Sequence, residues 1–267
     1  MILRAAVACV LGLIAYQIRD MIRYYDDVGM KTYRGLKDVA PVSCPNITDN
    51  ADLERIVSRH LSPYKHSSGK PQMILLLGGS GVGKTFAARE LLKTLPNNSS
   101  YVLHGLDDYL SLSPAYPELF QDPKFIYKTA AQDCYPSIIP IAKLMQAEIL
   151  RNRLNLVYEE TGKDPVRLVE RVIKPFLAAG YQIHALLVNA HPSVAVVRSS
   201  IRFLETGRFA SEEYVRSSFP PSNISELIVN LGMKLTTCSN DCMRGLLTPV
   251  AAALQRDCLV CDNSIPT

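Results

Sequence analysis

The stretch Gly78-Gly-Ser-Gly-Val-Gly-Lys-Thr85 decides the fold. The apolar run Met73–Leu77 precedes it and Phe86–Lys93 follows it, which predicts a strand, a glycine-rich turn and a helix. Glycines let the backbone curl so that successive N–H groups face phosphate oxygens, and the N-terminus of a helix adds positive potential. The stretch is therefore predicted to be a phosphate-binding loop.

The loop residues have distinct predicted parts in binding ATP. Lys84 is expected to reach the β- and γ-phosphates, and the Thr85 hydroxyl is expected to ligate Mg²⁺. ATP and Mg²⁺ are thus the predicted cofactors. The nucleotide would lie against Gly78, Gly79, Ser80, Gly81, Val82, Gly83, Lys84 and Thr85.

Composition is consistent with one full domain and appendages. The chain has 267 residues, of which 48% are hydrophobic, and a net charge of +4 at pH 7. This charge is mild, and no basic stripe is interleaved with aromatic residues, so no nucleic-acid partner is predicted. The sequence does not identify a protein partner.

The seven cysteines leave three interpretations open. Cys238 and Cys242, followed by Cys258 and Cys261, come close to the spacing of a four-thiolate zinc site. The two residues inside the second pair are apolar and do not favour a turn, and no histidine joins the set. Reduced cysteines are therefore favoured over a zinc site or a disulfide.

An apolar run, Ala5–Tyr16, lies near the N-terminus behind a single arginine. It is shorter than the ~20 apolar residues of a spanning helix, which favours a signal-peptide core or a short signal anchor. A mitochondrial presequence and a buried helix are the alternatives. Residues 5–19 are thus a candidate for membrane association, and a membrane-anchored or secretory location is favoured over a mitochondrial or plain cytoplasmic one.

Four segments are predicted along the chain. They are a hydrophobic N-terminal signal or anchor segment (1–25), adaptor helices and a linker (26–70), a kinase domain (71–240) and a C-terminal tail (241–267). Within them, strands are expected at Met73–Leu77, Tyr101–His104, Leu154–Tyr158 and Tyr181–Val188, with an edge strand at Met233–Thr237. Helices are expected at Asp52–Leu61, Ile138–Arg153, Val166–Ala179, Ser193–Leu204 and Ser211–Ser217.

This alternation of strands and helices predicts the fold class. It indicates an α/β fold of the P-loop NTPase, kinase-like kind, with a doubly wound parallel sheet in three layers. The N-terminal apolar run would add a hydrophobic helix to that fold.

Acidic residues follow the second and third predicted strands. At the carboxyl end of a parallel strand, such residues lie beside the nucleotide crevice. Asp107 is the predicted base for an acceptor hydroxyl, with Asp108 as the alternative. Glu159, which precedes Glu160, is the predicted metal-side acid.

Arginines follow the fourth predicted strand, where P-loop kinases place a lid. Phosphoryl transfer needs cations that neutralise the charge on the transferred group. Arg202 and Arg208 are the predicted cations, and Arg198 and Arg216 are the alternatives.

The stretch Asn155-Leu-Val-Tyr-Glu-Glu-Thr-Gly-Lys163 resembles the strand-and-turn signature of the zeta-toxin family of P-loop kinases. In that family an apolar strand ends in Glu, any residue, and then Thr-Gly-Arg. The spacing of the next strand and of the segment with Arg202 and Arg208 is similar to the family pattern. The resemblance covers about Gln72 to Leu235.

The resemblance implies an ATP-dependent phosphotransferase that acts on an alcohol group. In bacterial members of the family, the acceptor is UDP-N-acetylglucosamine. The site residues that the resemblance implies are Lys84 and Thr85 for phosphate and metal, Asp107 for the base and for substrate contact, Glu159 on the metal side, Thr161 and Lys163 for substrate, and Arg202 and Arg208 in the lid.

Three departures from the family pattern leave the acceptor open. Lys163 stands where the family usually has Arg, and Glu160 replaces a small residue. Gln146 or Glu148 occupies the region where the family has a substrate-binding acid. A kinase for another small acceptor, and a switch or remodelling P-loop ATPase, are the alternative functions. The two arginines available in the same chain favour the kinase.

Overall fold

A computed structural model describes residues 44, 47, 49–94, 100–113, 130–206, 208, 210–240 and 260–261. Six strands run along the described chain: β1 (Gln72–Leu77), β2 (Tyr101–His104), β3 (Asn155–Glu160), β4 (Gln182–Asn189), β5 (Lys234–Ser239) and β6 (Val260–Cys261). They form one sheet in the order β2-β3-β1-β4-β5-β6.

The sheet is parallel from β2 to β5, and β6 runs antiparallel to β5. The predicted α/β fold is therefore confirmed in its main feature, with a mostly parallel sheet. The prediction that the last strand lies at the edge is wrong, because β5 is paired on both sides. Two residues form β6, and so short a strand gives no recognisable pattern in the sequence.

The first helix precedes β1, and the other helices of the described chain lie between successive strands. The helices are α1 (Asn50–Leu61), α2 (Lys84–Thr94), α3 (Ala130–Arg151), α4 (Pro165–Leu168), α5 (Lys174–Ala178), α6 (Pro192–Thr206), α7 (Glu212–Ser217) and α8 (Ile224–Asn230). A π-helical segment, Val169–Ile173, joins α4 to α5, so these three pieces correspond to one predicted helix. A 3-10 helix, Leu106–Leu112, follows β2.

Alternate residues of β1 enter two different apolar cores. Met73, Leu75 and Leu77 pack on one face of the sheet, with α1, α3 and the π-helical segment. Ile74 and Leu76 pack on the other face, with α2, α6 and α7. A strand buried on both faces is apolar throughout, which explains the uninterrupted run in the sequence. The predicted three layers are confirmed.

Helix α3 begins eight residues before its predicted start and includes two prolines, Pro136 and Pro140. A proline inside a helix normally interrupts its hydrogen bonds, and Pro136 accordingly indicated a later start, whereas Pro140 already lay within the predicted helix. A buried apolar stripe nevertheless runs through them; its members, all completely buried, are Cys134, Ile138, Ile141, Met145 and Ile149. Their spacing of three and four residues keeps one helical face in the core from end to end.

The third strand ends later than predicted. Glu159 and Glu160 belong to β3, where they pair with Leu76 and Leu77 of β1, instead of following the strand. The pairing places both carboxylates beside the start of the phosphate loop. Helix α8, seven residues long, was not predicted.

The hydrophobic N-terminal helix predicted from the sequence lies outside the described residues. In the part of the chain that the structure describes, no helix is both long and apolar enough to cross a bilayer. Helix α1, from the predicted adaptor segment, packs its buried Leu53, Val57 and Leu61 into the same core as α3.

Two disulfides link distant parts of the described chain. Cys44 is bonded to Cys134 at the start of α3, and Cys238 of β5 is bonded to Cys261 of β6. The interpretation that favoured reduced cysteines is therefore wrong at these four positions. The described residues contain no cluster of His, Cys, Asp or Glu that could hold a metal ion.

The disulfide between β5 and β6 should stabilise the folded chain. Cys238 and Cys261 are 23 residues apart, so we expect Cys261→Ser to lower the free energy of unfolding by about 3 kcal/mol through the gain in entropy of the unfolded chain. Urea unfolding of both proteins measures this, with and without reductant. The difference should vanish in reductant; equal stability without reductant would contradict the pairing.

Candidate active site

The phosphate loop follows β1 and has the backbone that only glycine readily adopts. Gly78, Gly81 and Gly83 have φ angles of +147°, +82° and +94°. A side chain at Gly78 would collide with the carbonyl oxygen of Val188, only 2.3 Å from the position of its Cβ. Helix α2 begins directly after the loop, at Lys84. The predicted strand, glycine turn and helix are thus confirmed.

Lys84 folds back into the loop. Its side chain is only 8% exposed, and its ammonium donates hydrogen bonds to the carbonyl oxygens of Gly78 (2.9 Å) and Gly79 (3.1 Å). The Glu159 carboxylate lies 3.7 Å away. Burial lowers the pKa of Lys84, and the charge of Glu159 opposes that shift. A cation is therefore held at the position where a phosphate would enter.

Thr85 and Glu159 meet across the end of the sheet. The Thr85 hydroxyl donates to the Glu159 carboxylate over 3.3 Å. A hydroxyl and one carboxylate beside a phosphate loop are oxygen ligands of the kind that Mg²⁺ uses together with substrate phosphates. The two residues predicted to serve the metal thus lie close together, and their chemistry fits that ion.

Asp107 lies in the first turn of the 3-10 helix and has a partner at each carboxylate oxygen. The Tyr135 hydroxyl, from α3, donates to Oδ1. The Arg208 guanidinium forms an ion pair with Oδ2. The predicted base and one predicted lid arginine are therefore in direct contact, and Tyr135 is a partner that the sequence did not reveal.

A buried hydrogen bond joins the 3-10 helix to the end of β2. His104 Nδ1 and the Tyr109 hydroxyl lie 2.6 Å apart, and both side chains are buried. The His104 ring also packs against Tyr158, with 4.5 Å between the ring centroids. Burial lowers the pKa of His104 to about 3, so this histidine is neutral at physiological pH. It positions the turn that carries Asp107.

Asp108 faces Glu159 rather than the lid. A Cβ at Gly105 would come within 2.8 Å of the Asp108 carboxylate and 3.4 Å of Glu159 Cβ. Burial of its carboxyl, followed by the charge of Glu159, raises the pKa of Asp108 to about 6. The alternative base therefore lies beside Glu159, whereas Asp107 lies beside Arg208.

Arg202 and Arg208 both act on the centre of the site electrostatically. The charge of Arg202 contributes to lowering the pKa of Lys84, after the larger effect of burial. Burial lowers the pKa of Arg208 to about 10. Both arginines also oppose the rise that burial causes in the pKa of Tyr214. The structure thus brings the two predicted lid cations towards the loop and Asp107.

The two alternative arginines have other partners. Arg198 donates to the Val82 carbonyl (3.1 Å) and to the Asn240 side chain (3.2 Å), so it supports the phosphate loop from α6. Asn240 itself donates to the same carbonyl over 2.8 Å. Arg216 pairs with Glu212 of its own helix over 2.8 Å. Arg198 and Arg216 are therefore not placed as lid cations in this structure.

Thr161 and Lys163 lie in a turn that is closed by its own side chains. Glu160 accepts hydrogen bonds from the backbone N–H (3.1 Å) and the hydroxyl (3.3 Å) of Thr161. The Lys163 ammonium lies 5.2 Å from the centroid of the Tyr214 ring. Lys163 therefore borders Tyr214, whose hydroxyl is influenced by the charges of Arg202 and Arg208.

Gln146 and Glu148 lie far from the phosphate loop along the sheet. Gln146 donates to the Arg171 carbonyl (3.0 Å), and Glu148 forms an ion pair with Arg151. Both are near the C-terminal end of α3, which leads to the amino end of β3, whereas the loop follows the carboxyl end of β1. The region of α3 where the family has a substrate-binding acid therefore carries Gln146 and Glu148 at the end of the sheet opposite the loop.

One further support of the loop was not predicted. Ser80 donates its backbone N–H to the hydroxyl of Ser218 over 2.7 Å, and Ser218 is completely buried. The Phe219 ring packs on Gly79, where an added Cβ would be only 2.8 Å away. These contacts join segments about 140 residues apart, and the short sequence around Ser218 carries no recognisable motif.

The sequence matches the model of a known protein family. Residues 57–227 match the family model described as zeta toxin. No curated protein matches the chain.

Solved structures share the fold. A chain of the PezAT chromosomal toxin–antitoxin system of Streptococcus pneumoniae is 19% identical, with a TM-score of 0.52 over 72% of this chain and 77% of that one. The AvrRxo1-ORF1:ORF2 complex is 13% identical, with a TM-score of 0.55 over 75% and 71% of the two chains. Its structure with ATP is 14% identical, with a TM-score of 0.53 over 71% and 63%.

The raised pKa of Asp108 predicts a pH dependence of stability. Between about pH 4 and pH 6 the folded chain holds this proton and the unfolded chain has lost it, so stability falls as the pH rises through that range. Asp108→Asn should remove this pH dependence. We expect its effect on the free energy of unfolding to be less than about 1 kcal/mol, because solvent screens the charge of a partly exposed group.

Urea unfolding at several pH values measures this effect. We expect Asp108→Asn to gain stability relative to the wild type as the pH rises from 4 to 7. A constant difference across that range would show that the environment of Asp108 does not oppose its ionisation.

Proposed function

The chain belongs to the zeta toxin family, and we propose that it transfers the γ-phosphate of ATP to a hydroxyl group of a small molecule. We further propose a UDP-activated amino sugar as the first acceptor to test. One observation carries the proposal: the phosphate loop, the Thr85–Glu159 pair and Asp107 with Arg208 all lie at the carboxyl ends of β1, β2 and β3.

Support for ATP as the donor comes from the loop and from a relative. Lys84 is buried in the loop with its ammonium on two loop carbonyls, and an incoming phosphate offers that cation stronger partners than carbonyl oxygens. A structurally similar chain belongs to the AvrRxo1-ORF1:ORF2 complex, which has been solved with ATP. In this proposal, the α2 N-terminus and the loop backbone bind the phosphates.

Thr85 and Glu159 would hold Mg²⁺ beside the phosphates. Their oxygen atoms lie 3.3 Å apart, and Glu159 also faces Lys84. When bound, Mg²⁺ neutralises charge on the phosphate oxygens during transfer. Thr85 and Lys84 would position the phosphates of ATP, and Lys84 keeps a cation next to the negative Glu159.

Asp107 would accept the proton of the acceptor hydroxyl. One of its oxygens is occupied by Arg208 in this structure, so that pair must separate before the base can act. The negative transferred phosphate provides an alternative partner for Arg208. In this proposal, Arg208 and Arg202 stabilise the charge on the transferred group, and Asp107 is released at the same time.

The acceptor would be recognised near the turn that follows β3. Lys163 lies over the Tyr214 ring, and Tyr214 lies close to both lid arginines. Arginine would make bidentate contacts with a phosphate, whereas Lys163 acts as a single point charge. We therefore propose that Lys163 and Thr161 border the acceptor site. Because Lys163 replaces the usual Arg, we expect the acceptor preference to differ from that of other family members.

The disulfides support a location outside reducing compartments. Disulfides persist in the secretory pathway and in extracellular space and are rare in the cytosol. With Cys44–Cys134 and Cys238–Cys261 both formed, we propose a secretory location for this chain.

Substitution of the base separates binding from transfer. We expect Asp107→Asn to lower the rate of phosphoryl transfer by about 10²–10⁴-fold, because the proton of the acceptor loses its base, while ATP affinity stays within twofold. Mass spectrometry of reactions with Mg-ATP and a panel of UDP-sugars, nucleosides and simple sugars measures the transfer.

The matched control is Arg216→Ala, which removes an exposed ion pair on α7 and should keep the wild-type rate. Full transfer by Asp107→Asn would refute its role as base. Consumption of ATP with no phosphorylated acceptor, in the presence of the whole panel, would favour a switch ATPase instead.

A further inference from the structure

The carboxylate of Asp107 has two partners of different kinds. Oδ2 pairs with the guanidinium of Arg208, which belongs to the segment between α6 and α7. Oδ1 accepts a hydrogen bond from the neutral hydroxyl of Tyr135, which belongs to the long helix α3. The charged partner can move to a phosphate, whereas the neutral partner has no comparable attraction to one.

Helix α3 contacts both ends of the 3-10 helix. At the start of the 3-10 helix, Asp107 accepts a hydrogen bond from Tyr135. At its end, the hydroxyls of Ser113 and Ser137 lie 3.3 Å apart, and both serines are buried. Two contacts, six residues apart on a short helix, fix its rotation as well as its position relative to α3.

The first turns of α3 are themselves fixed. Cys134, next to Tyr135, is completely buried and is bonded to Cys44, 90 residues earlier in the chain. The Ser137 hydroxyl donates to the Cys134 carbonyl over 2.7 Å. The Tyr135 backbone is thus held by a covalent link on one side and by the buried core on the other.

We propose that Tyr135 is a positioning residue for the base: it holds Oδ1 of Asp107 so that Oδ2 faces the reacting hydroxyl once Arg208 has moved to the phosphate. This inference rests on the proposed kinase function. The Tyr135 hydroxyl donates one hydrogen bond to Oδ1 and leaves Oδ2 to accept the proton of the acceptor. A carboxylate without this contact could rotate, and small misplacements of a reacting group cost up to about 100-fold in rate.

The test compares two Tyr→Phe variants of the full chain. Tyr135→Phe should lower kcat by about 10–100-fold with an unchanged KM for ATP, because the loop and its lysine are untouched. Tyr181→Phe is the matched control, since its hydroxyl donates to the carbonyls of Ile149 (3.0 Å) and Leu154 (2.9 Å) before the amino ends of β3 and β4, whereas the site lies at the carboxyl ends of the strands. The control should lose stability and keep kcat.

A double-mutant cycle separates positioning from a general structural effect. In the Asp107→Asn background there is no base to orient, so adding Tyr135→Phe should change kcat less than twofold. Cys44→Ser, which frees the α3 turn, should lower kcat in the wild type and have little effect in the Asp107→Asn background.

The possible results are distinguishable. If the wild type transfers phosphate and Tyr135→Phe keeps full kcat, or loses the same factor in both backgrounds, the positioning role is refuted and the kinase proposal stands. If the wild type transfers phosphate to no acceptor, the kinase proposal fails first, and the role of Tyr135 in transfer fails with it.

Discussion

The site depends on one buried cation, the ammonium of Lys84. Burying an ammonium is costly unless hydrogen-bond acceptors and a negative charge surround it. Here the carbonyls of Gly78 and Gly79 and the carboxylate of Glu159 provide both. Because these partners are weaker than a polyphosphate, the structure holds the cation ready for a ligand, and the surrounding elements keep those partners in place.

The pairing register of the strands places the partners of Lys84 and of the loop around it. Leu76 of β1 pairs with Glu159 of β3, so the Glu159 carboxylate lies beside the last residues before the loop. On the other side, Asn240 follows β5 and binds the Val82 carbonyl, and the disulfide of Cys238 links β5 to β6. The loop is thus supported by strands from both halves of the sheet, and a shift of either strand would move the phosphate site.

Local patterns in the sequence predicted the phosphate loop and the strands around it, and the candidate site residues that they indicated lie close together in the structure. The glycine spacing indicated the phosphate loop, and the apolar runs indicated the parallel strands. The acids near the strand ends indicated that Asp107 and Glu159 lie at the carboxyl ends of neighbouring strands. What was missed depends on distant pairing. Asn240 lies 158 residues from Val82, and Tyr135 reaches Asp107 across a gap of 28 residues. Helix α3 was shortened in the prediction because Pro136 lies within its first turns, a position that a proline rarely takes in a helix.

The most direct measurement is the thermal stabilisation of the full chain by Mg-ATP, compared between the wild type and Lys84→Met. Methionine keeps the length and apolar stem of the lysine and removes the charge. The account predicts that the wild type gains stability with ATP concentration, by about 2.7 kcal/mol at 100 times its Kd, and that Lys84→Met gains little at the same concentrations. An equal gain in both proteins would contradict the account, because ATP would then bind without the buried cation of the loop.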